Sequence, residues 1–196
     1  ASIYNAKITP AIIISKSDAS HSGADTLFDI YSKGYDVFVT SSETGSGIDS
    51  LRRYISEKTT VCAFAGASGV GKSTLLTALF PELSLKTGSV SEKTRRGRHT
   101  TREVTLFPFA DGHFVADTPG FSRLDFDGEK YLPPDELFFC FPEFEKYFGK
   151  CRYSGCTHLR EEGCAVIDAV GKGEISPSRH ENYIAIYEER KNTRKF

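Results

Sequence analysis

Short apolar runs alternate along the chain with stretches whose apolar side chains recur every three or four positions. The run Ala11–Ser15 is almost wholly apolar, as a strand covered on both faces requires. Similar runs predict strands at Asp36–Thr40, Val61–Ala65, Arg102–Phe107 and His113–Asp117. The helical spacing predicts helices over Ala24–Lys33, Ile48–Glu57 and Lys72–Phe80. This alternation predicts an α/β fold, a parallel sheet wrapped by helices. Two regions break the rhythm. Leu85–Thr101, rich in Ser, Thr and Gly, reads as a long mobile loop. After Pro133-Pro134 comes an aromatic-rich run to Phe148, then a cysteine cluster, then a helix over Ser176–Lys191. Pro177 suits its first turn, and Tyr183, Ile184 and Tyr187 share one face. The change of character places a boundary near Asp127–Pro134, with a domain over residues 1–130 and a smaller, mainly helical subdomain over 131–196.

Composition narrows the class. A chain of 196 residues, 39% apolar and 26% charged, reads as a soluble globular domain with a small appendage. The net charge of −1 gives no whole-molecule field, so nucleic-acid contacts would need local patches. No stretch approaches the ~20 consecutive apolar residues of a membrane span. We therefore expect a monomer with no membrane partner. There is no methionine, and the first strand lies close to the start, so the chain is expected to be a fragment lacking its N-terminal part. Of five cysteines, Cys62 and Cys140 stand alone and read as core residues. The other three cluster with a histidine, which points to a metal in a reducing compartment and hence to the cytoplasm.

Gly66-Ala67-Ser68-Gly69-Val70-Gly71-Lys72-Ser73 matches G-x-x-x-x-G-K-[ST] in full, between an expected strand and an expected helix. In that setting the backbone curls so that N–H groups face a β-phosphate, and the helix N-terminus adds its positive dipole end. Lys72 would bridge β- and γ-phosphate oxygens, Ser73 would give Mg²⁺ a hydroxyl, and Thr74 continues the loop. Asp117-Thr-Pro-Gly120 ends a neighbouring strand; Asp117 suits Mg²⁺ through water, and Gly120 lets its N–H approach a γ-phosphate. Such loops hold ATP as well as GTP, so the base must be read elsewhere. At the end of the first strand stands Ser15-Lys16-Ser17-Asp18. A carboxylate there can accept from guanine N1–H and the 2-amino group, which adenine cannot match. The Lys16 stem can lie along the base plane. After the second strand comes Thr40–Gly47, where the backbone at Ser41 and Ser42 could meet guanine O6. Both loops end strands, where ligands bind in sheets of this kind. Cys151, Cys156, His158 and Cys164 supply three thiolates and an imidazole, a set suited to a closed, structural zinc site.

Taken together, these motifs resemble those of the TRAFAC-class GTPases, in which N/T-K-x-D and S-A-x follow the phosphate loop. Here they precede it. That permuted order, with Phe64–Leu75, Gly97-Arg-His-Thr-Thr101, Phe141-Pro-Glu-Phe144 and Cys151–Cys164, is similar to the RsgA (YjeQ/YloQ) family across essentially the whole chain. The resemblance implies a circularly permuted Ras-like P-loop GTPase domain with a zinc-binding C-terminal subdomain. It implies GTP and GDP as ligands, Mg²⁺ with the nucleotide, and the small ribosomal subunit and its rRNA as partners in late subunit maturation. Family members also carry an N-terminal OB-fold domain, which is not in this sequence. Two positions depart from the family pattern: Ser15 stands where Asn or Thr is usual, and Ser42 where Ala is usual.

The resemblance places Gly97–Thr101 in a switch, with Thr101 reaching Mg²⁺ and the γ-phosphate. Phe121 follows Gly120 where many GTPases use Gln to orient water. His99, two residues before the switch threonine, is the nearest substitute, and hydrolysis would then depend on a partner ordering that loop. Lys86, Lys93, Arg95, Arg96, Arg98 and Arg102 make the loop basic, which fits either a solvated face or contacts to rRNA phosphates. Lys150, Arg152, Arg160 and the Arg190–Lys195 tail could add such contacts. Two other readings stand: a nucleotide-gated rRNA-binding module with vestigial hydrolysis, and an ATP-using P-loop enzyme.

Overall fold

The computed structural model describes residues 8–19, 23–83, 105–117 and 132–193. The expected loop Leu85–Thr101, with its basic residues from Lys86 to Arg102, lies outside them, as do Gly120, Phe121, Arg194 and Lys195. Five strands, β1 (Ala11–Ile14), β2 (Asp36–Val39), β3 (Val61–Ala63), β4 (Thr105–Ala110) and β5 (His113–Asp117), alternate with helices. The helices are α1 (Ala24–Tyr31), α2 (Ile48–Lys58), α3 (Lys72–Leu79), α4 (Ala165–Gly171) and α5 (Pro177–Thr193), with two 3₁₀ segments at Pro134–Cys140 and Pro142–Tyr147.

By compactness the chain forms two units, residues 13–24 with 38–125, and residues 1–12 with 25–37 and 126–196. β1 pairs β2, and in the first unit β5 lies between β3 and β4. β3 and β5 are parallel, with Val61, Cys62 and Ala63 opposite Phe114, Val115 and Ala116. β4 runs antiparallel to β5, which corrects the expectation of a wholly parallel sheet. The reason is the connection: only Asp111-Gly112 separates β4 from β5, with Gly112 at φ 73°, and so short a link can make only a hairpin. The hairpin also fixes the end of β4, which runs on to Ala110, beyond the expected Phe107. Pro108 is tolerated because β4 is an edge strand, beside an irregularity in register.

The core of this unit follows from spacing. Ile48, Leu51 and Ile55 stack on one side of α2, and Leu75 and Leu79 on one side of α3. They meet Phe80, Leu83 and Val115, with Phe38, Cys62, Phe64 and Phe107 half-buried around them. Arg52 donates from Nη2 to the Ala78 carbonyl, tying α2 to the end of α3 (3.1 Å).

The second unit is built on aromatics. Phe141, Phe144 and Tyr183 pack at ring separations of 5.1–5.3 Å over Leu137, Val166 and Ile175, and Cys140 is buried with them. In α5 Tyr183 and Tyr187 are buried and Ile184 packs at the margin. Residues 25–37 belong here through contacts to Arg179, whose Nε meets Glu143 Oε1 at 2.5 Å in a buried ion pair. Arg179 Nη2 also donates to Tyr35 OH (3.3 Å), and its guanidinium lies 5.3 Å from the Tyr31 ring centre. Gly34 passes so close to Glu143 that a Cβ there would sit 2.8 Å from Oε2 and 2.9 Å from the backbone nitrogen.

Candidate functional site

The phosphate loop and the base loop are joined by their own side chains. Ser15 donates from Oγ to the Val70 carbonyl at 2.7 Å, and Lys16 from Nζ to the Gly69 carbonyl at 2.8 Å. The short hydroxyl of Ser15 therefore reaches the Val70 carbonyl directly. The Lys16 stem runs close to Gly71: a Cβ built there would lie 3.6 Å from Lys16 Cε. Gly71 caps α3 at φ 93°, a conformation that favours glycine, and Lys72 opens the helix behind it. Lys72 donates to the Gly66 carbonyl (2.7 Å) and the Ala67 carbonyl (2.8 Å), so the ammonium lies folded over the loop that would hold phosphate. Ser73 and Thr74 lie in the first turn of α3, and Ser68 is exposed in the loop.

The second base loop is equally prepared. The Thr40 N–H donates to the Ile14 carbonyl (2.8 Å), and the Ser17 N–H to the Thr40 carbonyl (3.1 Å), so the two base loops leave their strands at one end. Ser41 is fully buried; its N–H donates to the Ser46 carbonyl (3.0 Å), and its Oγ accepts from the Thr44 N–H (3.1 Å). The hydrogen bond of Ser41 to Asp18 is the largest of the influences that hold the Asp18 carboxyl below its ordinary range. Ser42 follows, half-buried. Gly47 closes the loop at φ 72°, where a Cβ would stand 2.1 Å from the Val39 carbonyl oxygen. No other residue fits there without moving the strand end. Asp117 ends β5, one residue past the partner of Ala63, at the edge where β3 leads into the phosphate loop. His99, Thr101 and Gly120 lie outside the described residues.

In the other unit, Cys151, Cys156, His158 and Cys164 bring all four ligand atoms within 4.8 Å of one another. The edges are 3.5 Å from Cys151 Sγ to His158 Nδ1, 3.4 Å from His158 Nδ1 to Cys164 Sγ, and 3.9 Å between Cys151 Sγ and Cys164 Sγ. A tetrahedral zinc with ~2.3 Å Zn–S and ~2.0 Å Zn–N bonds has edges of ~3.5–3.8 Å. The donor set therefore fits such an ion. Burial pushes the Cys156 thiol up to about 12, with the neighbouring thiols adding to the shift, and burial lowers His158. A neutral imidazole is what a metal needs, and burial raises Cys164 as it does Cys156, so a bound cation would favour the thiolate at both.

Glu161 carries the loop that presents His158, and nothing in the sequence pattern marked it. Its carboxylate accepts from the Thr157 hydroxyl and from the N–H groups of Thr157 (2.7 Å), Leu159 (2.9 Å) and Arg160 (3.0 Å). Burial opposes its charge, but these hydrogen bonds outweigh that and bring the carboxyl down to about 2. They help to hold His158 at φ 61°, a left-handed conformation that non-glycine residues resist. α5 braces the same loop: His180 Nε2 donates to the His158 carbonyl (2.7 Å), and Tyr183 OH to the Thr157 carbonyl (3.1 Å).

The charge on Glu161 is stabilising above the ordinary value of 4.5, and that stabilisation is lost as pH falls through about 2. Glu161→Gln removes the charge and leaves one acceptor oxygen for these donors. We expect it to lower zinc affinity about 10- to 100-fold at neutral pH, measured by competition with a chromophoric chelator. Unchanged affinity would show that the loop holds itself.

Comparison with known proteins places these sites in context. A profile of the RsgA GTPase family matches residues 1–127. Small ribosomal subunit biogenesis GTPase RsgA 2 of Listeria monocytogenes is 50% identical over 190 residues, covering 94% of this chain and 62% of that protein. Small ribosomal subunit biogenesis GTPase RsgA of Moorella thermoacetica is 45% identical over 183 residues, covering 93% and 61%. This chain thus spans about 62% of the length of such relatives. The crystal structure of YjeQ from Thermotoga maritima superposes with a TM-score of 0.72 at 34% identity, over 96% of this chain and 62% of that one. That of YloQ, described as a circularly permuted GTPase, gives 0.67 at 35% identity, over 96% and 59%.

Proposed function

This chain belongs to the RsgA GTPase family, and from that premise we propose that it binds and hydrolyses GTP and acts in maturation of the small ribosomal subunit. The observation that carries the reading is the pair of hydrogen bonds from Ser15 and Lys16 to the Val70 and Gly69 carbonyls. They join a base loop early in the chain to a phosphate loop that follows it, so the permuted motifs form one nucleotide site.

In that site the loop Gly66–Thr74 holds the phosphates, with the N-terminus of α3 behind it. Lys72 exchanges its two carbonyl partners for phosphate oxygens. Asp18, kept ionised by Ser41, accepts from guanine N1–H and the 2-amino group. Ser41 and Ser42 present backbone to O6. Ser73, Asp117 and Thr101 are the groups that would hold Mg²⁺, which when bound offsets charge on the β- and γ-phosphate oxygens. Gly120 approaches the γ-phosphate, and His99 orients the attacking water once a partner is bound. Zinc at Cys151, Cys156, His158 and Cys164 is structural, because four protein ligands leave no open position. The chain works in the cytoplasm, with residues 1–130 as the GTPase domain, of which 25–37 pack with the C-terminal unit, and 131–196 as the zinc subdomain.

Phosphate release, measured with and without purified small subunits, tests this reading. Subunits should raise turnover, and His99→Ala should remove most of that rise, about 100-fold if it acts as a positioned general base, while leaving GTP affinity unchanged. Stimulation of His99→Ala equal to wild type removes His99 from the mechanism. Absence of turnover even with subunits favours the nucleotide-gated RNA-binding module instead.

A further inference from the structure

Within the C-terminal unit lies an open cleft of about 720 Å³, with Cys151, Cys156 and His158 of the metal cluster at one end and a mouth of aromatic rings that no step above uses. Its walls include Phe138, Phe139, Phe148 and Tyr153, together with Arg152 and Asp135. Three of the rings are unusually bare: Phe139 is 53% exposed, Phe148 64% and Tyr153 51%. Single exposed aromatics are ordinary, but three converging on one concave site are not. They are also ordered against one another. The Phe139 and Phe148 ring centres are 5.4 Å apart, and Phe138 supports both at 5.5 and 5.8 Å. The Arg152 guanidinium lies 5.5 Å from the Tyr153 ring centre, which keeps a cation beside an open aromatic face.

We propose that this cleft takes an unpaired base of single-stranded RNA, stacked on Phe148 and Tyr153, with the adjoining phosphate on Arg152. The proposal rests on the small-subunit reading and deepens it by naming the form of RNA that the zinc subdomain reads. Open rings with neighbouring cations are the usual means of holding single strands, whereas a duplex offers its bases no access to a stacking face. The volume falls in the ~300–1,000 Å³ range of sites for small organic groups and accommodates a nucleotide. Lys150, exposed between the lining residues Gly149 and Cys151, adds a second cation at the rim. The carboxylate of Asp135 can accept from base amino or imino hydrogens but repels phosphate, which favours the base on its side of the cleft and the phosphate beside Arg152. A peptide without acidic side chains would cover the rings and leave both cations without an anionic partner.

The test compares binding of the 196-residue chain to a labelled oligoadenylate of about ten nucleotides, to the same length carrying abasic sites, and to a duplex of that length. Wild type should prefer the base-bearing single strand to both others. Phe148→Ala and Tyr153→Ala should each weaken its binding about 5- to 100-fold, whereas Phe148→Trp should retain it and GTP affinity should stay at the wild-type value. Both side chains are exposed, and the tyrosine circular dichroism of each variant checks that the fold is kept. Equal binding of the abasic and base-bearing strands, wild-type affinity in both alanine variants, or no binding of single strands at all would each overturn the proposal. Cosedimentation of wild type with small subunits is measured in parallel. If wild type cosediments but shows no base dependence, the cleft assignment alone falls. If base-dependent binding appears without cosedimentation, the cleft stands and the subunit reading falls.

Discussion

Lys72→Ala should reduce GTP turnover by about 10²–10³-fold and weaken GTP binding by about 10- to 100-fold. The two losses have different origins. The Lys72 ammonium lies over the loop on the Gly66 and Ala67 carbonyls at 2.7 and 2.8 Å. The bonds to the carbonyls already carry the ammonium's charge; exchanging neutral carbonyls for phosphate oxygens adds an opposite charge on the acceptor, a gain of about 1.5–3 kcal/mol. That gain appears in affinity. A further gain appears only as charge moves onto the β–γ bridging oxygen in the transition state, and losing one such positioned donor costs about 10²–10³ in rate. Alanine also releases two pins that shape the empty loop. Isothermal titration and single-turnover phosphate release at saturating GTP separate the effects. A loss of affinity with an unchanged single-turnover rate would remove Lys72 from the chemistry.

The second large effect concerns the metal cluster. Cys164→Ser should unfold the C-terminal unit, and chelation of wild type should reproduce the result. Cys164 is 1% exposed, lies in the aromatic core and stands at the N-cap of α4. Its neighbour Ala165 donates its N–H to Cys151 Sγ at 3.4 Å, so the ligand cage and the start of α4 share one hydrogen-bond network. A structural zinc contributes about 10–16 kcal/mol at neutral pH, comparable to the whole stability of a typical domain, ~5–15 kcal/mol. Without a cation, the burial that pushes Cys156 up to about 12 leaves a protonated thiol there in place of a bond. Tyr183 and Tyr187 should become exposed, and because the chain has no tryptophan, its near-ultraviolet circular dichroism reports mainly on tyrosine. Retention of that signal after chelation, with no change in melting temperature, would show that the aromatic core holds the unit by itself.

Much of this was legible because short motifs carry their own geometry. Gly66–Ser73 requires a strand before it and a helix after it, and β3 and α3 lie there. The spacing of Ile48, Leu51 and Ile55 anticipates the buried side of α2. Cys151, Cys156, His158 and Cys164 are legible as a candidate metal set because three cysteines and a histidine in one short segment suit a tetrahedral ion. What escaped depends on contacts between distant residues. Glu161 is one glutamate among many until the chain turns back and aims the N–H groups of Thr157, Leu159 and Arg160 at it. Arg179 meets Glu143, Tyr31 and Tyr35 only after residues 25–37 have joined the C-terminal unit. The antiparallel β4 was missed for a different reason. Asp111-Gly112 is a strong local hairpin signal, and it outweighs the alternation of strands and helices that predicts a parallel sheet.

Central to the account is that guanine is read by a loop placed ahead of the phosphate loop in the chain. The most direct measurement is equilibrium binding of GTP, ATP and xanthosine triphosphate to wild type and to Asp18→Asn. Wild type should bind GTP well above the other two. The substituted side chain would present an amide N–H₂ where guanine needs an acceptor, costing about 2–5 kcal/mol, or roughly 30- to several-thousand-fold in GTP affinity. Xanthosine's 2-oxo group would gain a partner, and its affinity should rise. Equal competition by ATP in wild type, or GTP affinity untouched by Asp18→Asn, would contradict the assignment.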